Sequence, residues 1–247
     1  MTTDNIAIEL QNVSKTFTMK EAKNYTIFRA LTNIFTYQET RKLEALNNIN
    51  LVITKGEKFG IIGRNGSGKS TLLKIISGVY PPNKGSKVFT NGRSTKLALG
   101  TGFNMEFSAR QNIYINGSLS GLSFKKIGEH FNDILEFSEL TKFADTKLKY
   151  FSSGMLSRLS FAIAIYIKAD IYLIDEFFGG VGDFSFEEKS RKLFESSFID
   201  GKTVVYVSHN LDLIKQQCNR VMYMKRGECI VIGDPETVIL QYLSDSD

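Results

Sequence analysis

The most constraining feature of the sequence is a glycine-rich octapeptide, GRNGSGKS, at residues 63–70. It matches the pattern G-x-x-x-x-G-K-[ST] and lies between a strand-like run, FGII, and a helix-like run, TLLKIIS. Glycines at this spacing let backbone N–H groups curl around phosphate oxygens, and the following helix directs its positive end at them. The sequence therefore predicts a phosphate-binding loop that opens a helix. The alternative is a glycine-rich turn without a ligand.

The chemistry of this loop predicts individual roles for three of its residues. We expect Lys69 to bridge the β- and γ-phosphates, the Ser70 hydroxyl to bind Mg²⁺, and Thr71 to reach the α-phosphate. The sequence contains neither the N-K-x-D tetrapeptide of GTPases nor, in this loop, the Rossmann pattern G-x-G-x-x-G. The loop therefore favours neither of these two nucleotide-binding classes. The residues predicted to bind the nucleotide here are Gly63, Arg64, Asn65, Gly66, Ser67, Gly68, Lys69, Ser70 and Thr71.

Two adjacent acids, Asp175 and Glu176, end the apolar run IYLIDE. At the carboxyl end of a buried strand, Asp175 can hold the magnesium shell while Glu176 faces the water that attacks the γ-phosphate. An acidic pair at a strand end can also be only a solvated turn, so this prediction depends on the phosphate-binding loop.

Hydrophobic periodicity predicts an α/β fold. Two strand-like runs, Ile171–Ile174 and Thr203–Val207, are almost wholly apolar, as expected for central strands buried under helices on both faces. Between about residues 101 and 169 strand signals vanish and the apolar spacing becomes helical. The other predicted strands are Ile6–Val13, Ile49–Ile53, Lys58–Ile62 and Val221–Met224.

Composition limits the class of protein but does not identify a partner. The 247 residues contain no apolar run near the roughly 20 residues needed to span a bilayer, no secretory signal pattern, and two cysteines. We therefore expect a cytosolic protein. Its formal net charge of +5 suits an anionic ligand, nucleic acid or the cytoplasmic membrane leaflet equally well.

Two further motifs carry a resemblance to a known family. The segment FSSGMLSRLSFAIAI at residues 151–165 resembles the signature LSGGQ of ATP-binding-cassette ATPases, and VVYVSHN places His209 where that family has its switch histidine. The resemblance implies a P-loop NTPase of the ATP-binding-cassette fold, with a mainly parallel core sheet, an antiparallel β subdomain and an inserted helical subdomain. It also implies that His209 contacts the γ-phosphate.

In that family two cassettes bind head to tail around two ATP molecules, which implies a homodimer here. Ser152, Ser153 and Gly154 would then face the γ-phosphate held by the second copy, since backbone amides at a helix N-terminus bind anions. Taken alone, the same three residues are better explained as a helix N-cap without a ligand, and the ligand-binding interpretation depends on the other motifs.

The string SSGM, the segment LGTGFNMEFSARQNIYING and the segment GECIVIGDPETVILQYL look like the ATP-binding subunits of bacterial capsule, O-antigen and teichoic-acid exporters. The resemblance implies a peripheral ATPase on the cytoplasmic face of the inner membrane. Its implied partners are a separate dimer of integral-membrane channel subunits and a lipid-linked polysaccharide as cargo. Two alternatives stay open: a cassette that serves another cargo, and a soluble cassette ATPase that acts on nucleic acid. The nucleic-acid alternative is less favoured, so no nucleic-acid partner is expected.

The family pattern is not complete in this sequence. The Q-loop glutamine is missing around residues 98–100, and DEFFGGVGD places Asp183, a candidate for a role across the dimer, one residue later than usual. We expect one cassette domain over residues 1–247, with an α/β core at 1–100 and 170–247 and a helical subdomain at 101–169.

The core is also expected to contain an insertion at residues 20–45. In this segment an apolar stripe recurs at helical spacing beside basic residues. A helix of this kind packs on its own core, on a partner as a channel gate, or on the membrane surface. For adenine stacking, Phe17 matches the family's aromatic position, with Tyr37 as its rival. The stripe consists of Tyr25, Phe28, Leu31, Ile34 and Phe35, and the flanking basic residues include Arg41 and Lys42.

Overall fold

The computed structural model describes residues 5–20, 40–97, 102–119, 121–166, 169–175, 186, 188, 190 and 201–245. The described strands form a three-stranded sheet in the order β2-β1-β4 and a six-stranded sheet in the order β5-β6-β7-β3-β8-β9. In chain order the elements are β1 (Ile6–Lys20), β2 (Thr40–Thr54), β3 (Lys58–Ile62), α1 (Lys69–Ile76), β4 (Lys87–Thr90), β5 (Ser94–Leu97), α2 (Ala109–Leu119), α3 (Phe124–Phe137), α4 (Ser153–Ile165), β6 (Ile171–Asp175), β7 (Thr203–Val207), α5 (Leu211–Gln217), β8 (Arg220–Lys225), β9 (Glu228–Gly233) and α6 (Pro235–Ser244).

The six-stranded sheet is parallel from β5 to β8, and β9 joins it antiparallel to β8. All five residues of β7 are buried, as are the first four of β6. Both strands lie inside the sheet, so the prediction of buried central strands is confirmed. Together with the helices, this sheet confirms the predicted α/β class.

The three-stranded sheet is antiparallel, and its β1 and β2 strands are each 15 residues long. Their pairing continues to Lys20 opposite Thr40, well beyond the strand predicted at Ile6–Val13. The sequence analysis detected neither this extension nor β4 and β5. Short or half-exposed strands carry a weak local signal, because cross-strand pairing stabilises them more than their own composition does.

The long ribbon includes both ends of the insertion predicted at residues 20–45. Lys20 ends β1 and residues 40–45 begin β2, so Arg41 and Lys42 are strand residues. They pair with Met19 and Thr18 in a ladder, an arrangement that alternates side chains between the two faces of the sheet. The predicted apolar stripe, from Tyr25 to Phe35, lies outside the described residues.

Three helices, α2, α3 and α4, pack around a core of their own. This core includes Ile113 from α2, Ile127 and Ile134 from α3, and Leu159 from α4, all at most 4% exposed. Among the described residues from 102 to 166, strand pairing amounts to one isolated bridge. The helical spacing read from this part of the sequence is therefore confirmed.

Two further cores lie on the two faces of the six-stranded sheet. On one face Leu173 and Val205 pack with Leu72 of α1 and with the three-stranded sheet. On the other face Tyr206 and Tyr223 pack with residues of the helices, among them Phe161. Within the described ranges, no helix combines the length and the apolar character needed to cross a membrane.

Replacing Ile171 with Ala should lower the free energy of unfolding by about 2–5 kcal/mol, because it leaves a cavity in a close-packed core. Ile171 is fully buried at the start of β6, whereas Ile230 in β9 is 39% exposed. The matched control Ile230→Ala should cost at most about 1 kcal/mol. Urea unfolding of both variants measures the difference, and equal losses would contradict this assignment of the core.

Candidate nucleotide-binding site

The glycine-rich loop, Asp175 and His209 meet at one edge of the six-stranded sheet. β3, β6 and β7 are parallel neighbours, so their carboxyl ends share that edge. The glycine-rich loop follows β3, Asp175 is the last residue of β6, and His209 lies two residues beyond the end of β7. Asn210 caps α5 by accepting a hydrogen bond from the Leu213 N–H, which fixes the turn that carries His209.

Two glycines let the loop approach neighbouring backbone more closely than any side chain would allow. Gly63 has φ +151°, and a Cβ there would lie 2.2 Å from the carbonyl oxygen of Met224 in β8. Gly68 has φ +104°, and a Cβ there would lie 2.6 Å from the carbonyl oxygen of Ala45 in β2. Both positions therefore require glycine for conformation and for space.

The polar groups of the loop fit a bound phosphate. Lys69 is 7% exposed, and its Nζ donates to the carbonyl oxygens of Gly63 (2.6 Å) and Arg64 (3.0 Å), which curls the ammonium over the loop. Ser67 is 4% exposed, and its buried Oγ has no hydrogen-bond partner within the described part of the chain. A buried hydroxyl without a partner is costly, and an anion in the loop would accept its hydrogen bond.

A cavity of about 550 Å³ joins the loop to the other predicted residues. This volume suits a nucleotide-sized ligand. The structure thus brings together residues that are far apart in the sequence, although their roles stay predictions. The lining comprises Phe17, Leu43, Glu44, Ala45, Asn65, Gly66, Ser67, Gly68, Lys69, Ser70, Thr71, Asp175, Val207 and His209.

The donors at the cavity fit Mg²⁺ better than a transition metal. No cluster of three or more His, Cys, Asp or Glu side chains occurs among the described residues. Mg²⁺ instead prefers one or two protein oxygens plus phosphate oxygens and water. Ser70, exposed at the start of α1, and Asp175 supply such oxygens at the same cavity.

The far side of the cavity comes from the three-stranded sheet. Phe17 of β1 lines it and is paired with Leu43 of β2. The Phe17 ring also meets Tyr80 edge to face, with ring centroids 5.5 Å apart at 72°. The sequence analysis named Phe17 but missed its neighbours, because only the register between β1 and β2 brings Leu43, Glu44 and Ala45 to the site.

The signature residues lie elsewhere. Ser152 and Ser153 are exposed at the N-terminus of α4 and do not line the cavity, and neither does Gly154. The Ser152 Oγ accepts a hydrogen bond from the Met155 N–H at 3.2 Å, which is an N-cap. Within one chain, these residues therefore behave as the ligand-free cap considered above.

Several predicted residues fall outside the described part of the chain. Among them are Glu176, the candidate base, and Asp183, the candidate for a role across the dimer. The rival adenine-stacking residue Tyr37 and residues 98–100, where the Q-loop glutamine is missing, are also outside it.

The sequence matches the family described as ABC transporter over residues 46–179. This chain belongs to that family. The match runs from β2 to just beyond Asp175, and so includes the glycine-rich loop and the signature helix. The family resemblance drawn from the motifs is thereby confirmed.

Curated relatives of this ABC ATPase include several subunits of polysaccharide exporters. It is 41% identical to the O-antigen export system ATP-binding protein RfbB of Klebsiella pneumoniae over 82% of each chain. It is 38% identical to the RfbB protein of Myxococcus xanthus over 96% of this chain and 55% of the relative. The Bacillus cereus teichoic acids export protein TagH is 36% identical over 96% of this chain and 42% of its own length. The chain thus spans about half the length of the latter two relatives.

Solved structures agree on the fold. A bacterial ABC transporter cassette solved as a dimer superposes with a TM-score of 0.69 at 25% identity, over 92% of this chain and 98% of that one. An ATP-binding subunit of an ABC transporter gives a TM-score of 0.71 at 19% identity, over 96% and 93%. The predicted ATP-binding-cassette fold is confirmed.

Replacing Gly68 with Ala should abolish ATP binding by this cassette, because the new Cβ would collide with the Ala45 carbonyl and push the loop out of shape. Gly201 is the matched control, since it also has positive φ, +65°, but nothing lies within 4 Å of an added Cβ. Gly201→Ala should cost only about 1 kcal/mol of stability and leave ATP binding unchanged. Calorimetric titration and thermal unfolding test both variants, and normal ATP affinity in Gly68→Ala would refute the role of this contact.

Proposed function

We propose that this chain is the ATP-hydrolysing subunit of an exporter that moves a lipid-linked polysaccharide across the bacterial cytoplasmic membrane. The observation that carries the proposal is the cavity where the glycine-rich loop, Asp175 and His209 meet. Relatives named for O-antigen and teichoic acid export support the cargo class. In this assignment the chain is peripheral, on the cytoplasmic face of the membrane.

In the proposed reaction the loop stabilises the charge that develops on the transferred phosphoryl group. Lys69 and the backbone N–H groups at the start of α1 hold the β- and γ-phosphates. Ser70 and Asp175 would hold Mg²⁺, which when bound supplies positive charge to the phosphate oxygens. Glu176 accepts a proton from the attacking water, and His209 contacts the γ-phosphate.

The site is proposed to be completed by a second copy of the chain. The cavity contains a phosphate-binding loop, whereas the signature residues of the same chain do not line it. In a head-to-tail dimer the N-terminus of α4 from each copy would face the γ-phosphate bound by the other. The cassette solved as a dimer supports the pairing of two copies.

A mixing experiment tests the composite site. Lys69→Ala should abolish hydrolysis by removing the cation at the phosphates, and Gly154→Asp should abolish it by placing an anion at the signature. A heterodimer of the two variants has one site with both changes and one intact site. Random mixing gives half heterodimers, so we expect about a quarter of the wild-type ATPase rate.

Each variant alone serves as the control, and both should be inactive in the same assay. A mixture that stays inactive while forming heterodimers would contradict the head-to-tail site. High activity in Lys69→Ala alone would contradict the role of the loop.

ATP binding and hydrolysis by the cassette dimer are proposed to drive transport through a separate channel, which is formed by a dimer of integral-membrane subunits. ATP closes the cassette dimer, and hydrolysis followed by phosphate release opens it. The relatives are named as parts of export systems, and the chain itself has no membrane-crossing helix among its described residues. No nucleic-acid partner is part of this proposal.

Co-expression with the membrane protein encoded by the adjacent gene tests partner and cargo. We expect the two proteins to co-purify and a lipid-linked glycan to be identified in the complex by mass spectrometry. The Lys69→Ala chain is the matched control, because it should assemble with the channel and yet fail to support export in cells. Co-purification with another cargo would assign the cassette to a different transporter class, and capture of nucleic acid without a channel would reject export.

A further inference from the structure

Phe17 is contacted by Tyr80, in the loop after α1, and by Lys15 of its own strand β1. Its ring meets the Tyr80 ring edge to face, and the Lys15 Nζ lies 5.3 Å from the Phe17 centroid and 5.9 Å from the Tyr80 centroid. The same Nζ donates to the carbonyl oxygen of Pro81 at 2.6 Å. The aromatic side of the cavity is thus tied to a segment outside the three-stranded sheet.

Tyr80 is in turn attached to the helix that begins at the phosphate-binding loop. Its N–H donates to the carbonyl oxygen of Lys74 in α1 at 3.0 Å, and the Lys74 Nζ lies 5.1 Å from the Tyr80 ring centroid. The ring also packs against the core that contains Leu72 and Leu73. Tyr80 is therefore attached to α1, whose first residue is Lys69.

The remainder of this loop is bonded to β1 on the amino side of Phe17. Asn83 accepts from the Thr16 N–H at 3.2 Å and donates to the Thr16 Oγ1 at 3.1 Å, and its own N–H donates to the Ser14 carbonyl at 2.9 Å. Ser86 accepts from the Ser14 N–H at 3.1 Å. We call residues 80–86 the strap, because they fasten β1 to the end of α1.

We propose that Tyr80 is a positioning residue that sets the Phe17 ring at a fixed distance from the phosphate-binding loop, and so tunes the affinity of the site for the nucleoside part of ATP. This inference rests on the proposed function, in which ATP binds the cavity with its base on Phe17. Tyr80 touches Phe17 and α1 but does not line the cavity. Its effect on ATP is therefore indirect.

Comparing ATP with a ligand that lacks the base distinguishes this positioning role from a merely structural one. Inorganic tripolyphosphate occupies the phosphate-binding loop but has no base, so its affinity should not depend on Phe17. Tyr80→Leu keeps an apolar side chain in the core and removes the ring. We expect it to weaken binding of Mg-ATP about three- to tenfold, the range for loss of one aromatic contact, and to leave tripolyphosphate affinity within about twofold.

Calorimetric titration of the full chain with each ligand provides the test, with thermal unfolding of every variant. Tyr80→Phe keeps the ring contact and should bind ATP as the wild type does. Phe17→Leu should reproduce the selective loss, and adding Tyr80→Leu to it should weaken ATP binding no further, because the two residues act through one contact. Asn83→Ala, which removes the two side-chain hydrogen bonds between the strap and Thr16, should shift affinity in the same selective way. It provides the test if Tyr80→Leu fails to fold.

Equal weakening of ATP and tripolyphosphate would overturn the proposal and leave Tyr80 a structural residue. Unchanged ATP affinity in Tyr80→Leu, or in Phe17→Leu, would overturn it as well. A wild-type chain that binds neither ligand would instead refute the proposed function itself.

Discussion

Close backbone contact at two glycines is the constraint on which the nucleotide site depends. Through Gly63 the phosphate-binding loop touches the carbonyl of Met224 in the parallel sheet, and through Gly68 it touches the carbonyl of Ala45 in the antiparallel sheet. Gly227 repeats the arrangement, since a Cβ there would lie 2.9 Å from the same Ala45 oxygen. Its N–H donates to the Ser67 carbonyl, and its own carbonyl accepts from the Asn47 N–H. The loop is therefore one of the places where the two sheets meet.

This junction determines the geometry of the whole cavity. The proposed phosphate ligands belong to the parallel sheet and α1, whereas Phe17 and Leu43 belong to the antiparallel sheet. A site divided between two sheets keeps its dimensions only if the sheets are fixed to each other, and a protein interior packed at crystal density provides that rigidity. The strap provides a further attachment, which joins β1 of the antiparallel sheet to α1. The glycine contacts and the strap together define the distance over which a nucleotide must extend.

Sequence reasoning correctly located the elements that depend on a short local pattern. The loop at 63–70, the acidic end of β6 and the turn carrying His209 each combine a strand end with a few defined residues, and parallel pairing then brings those strand ends together. It failed where pairing is nonlocal. Leu43 reaches the cavity through the register of two 15-residue strands with several irregularities, and Tyr80 reaches Phe17 through a loop that is 63 positions away in the chain. No local periodicity encodes either contact. For the same reason the sequence analysis did not assign Arg41 and Lys42 to β2.

The net charge of the chain fits a dimer that closes on ATP. Each copy carries a formal charge of +5, so two copies repel each other when they approach without a ligand between them. In the proposed head-to-tail dimer two anionic nucleotides lie in the interface, each between the loop of one copy and the α4 N-terminus of the other, and they offset part of that repulsion. Because charges within about 8 Å interact strongly at physiological ionic strength, the phosphates act mainly on the groups they touch, Lys69 and the signature amides. In the proposed cycle, hydrolysis and phosphate release would remove negative charge from the interface, and the same repulsion would help to separate the copies.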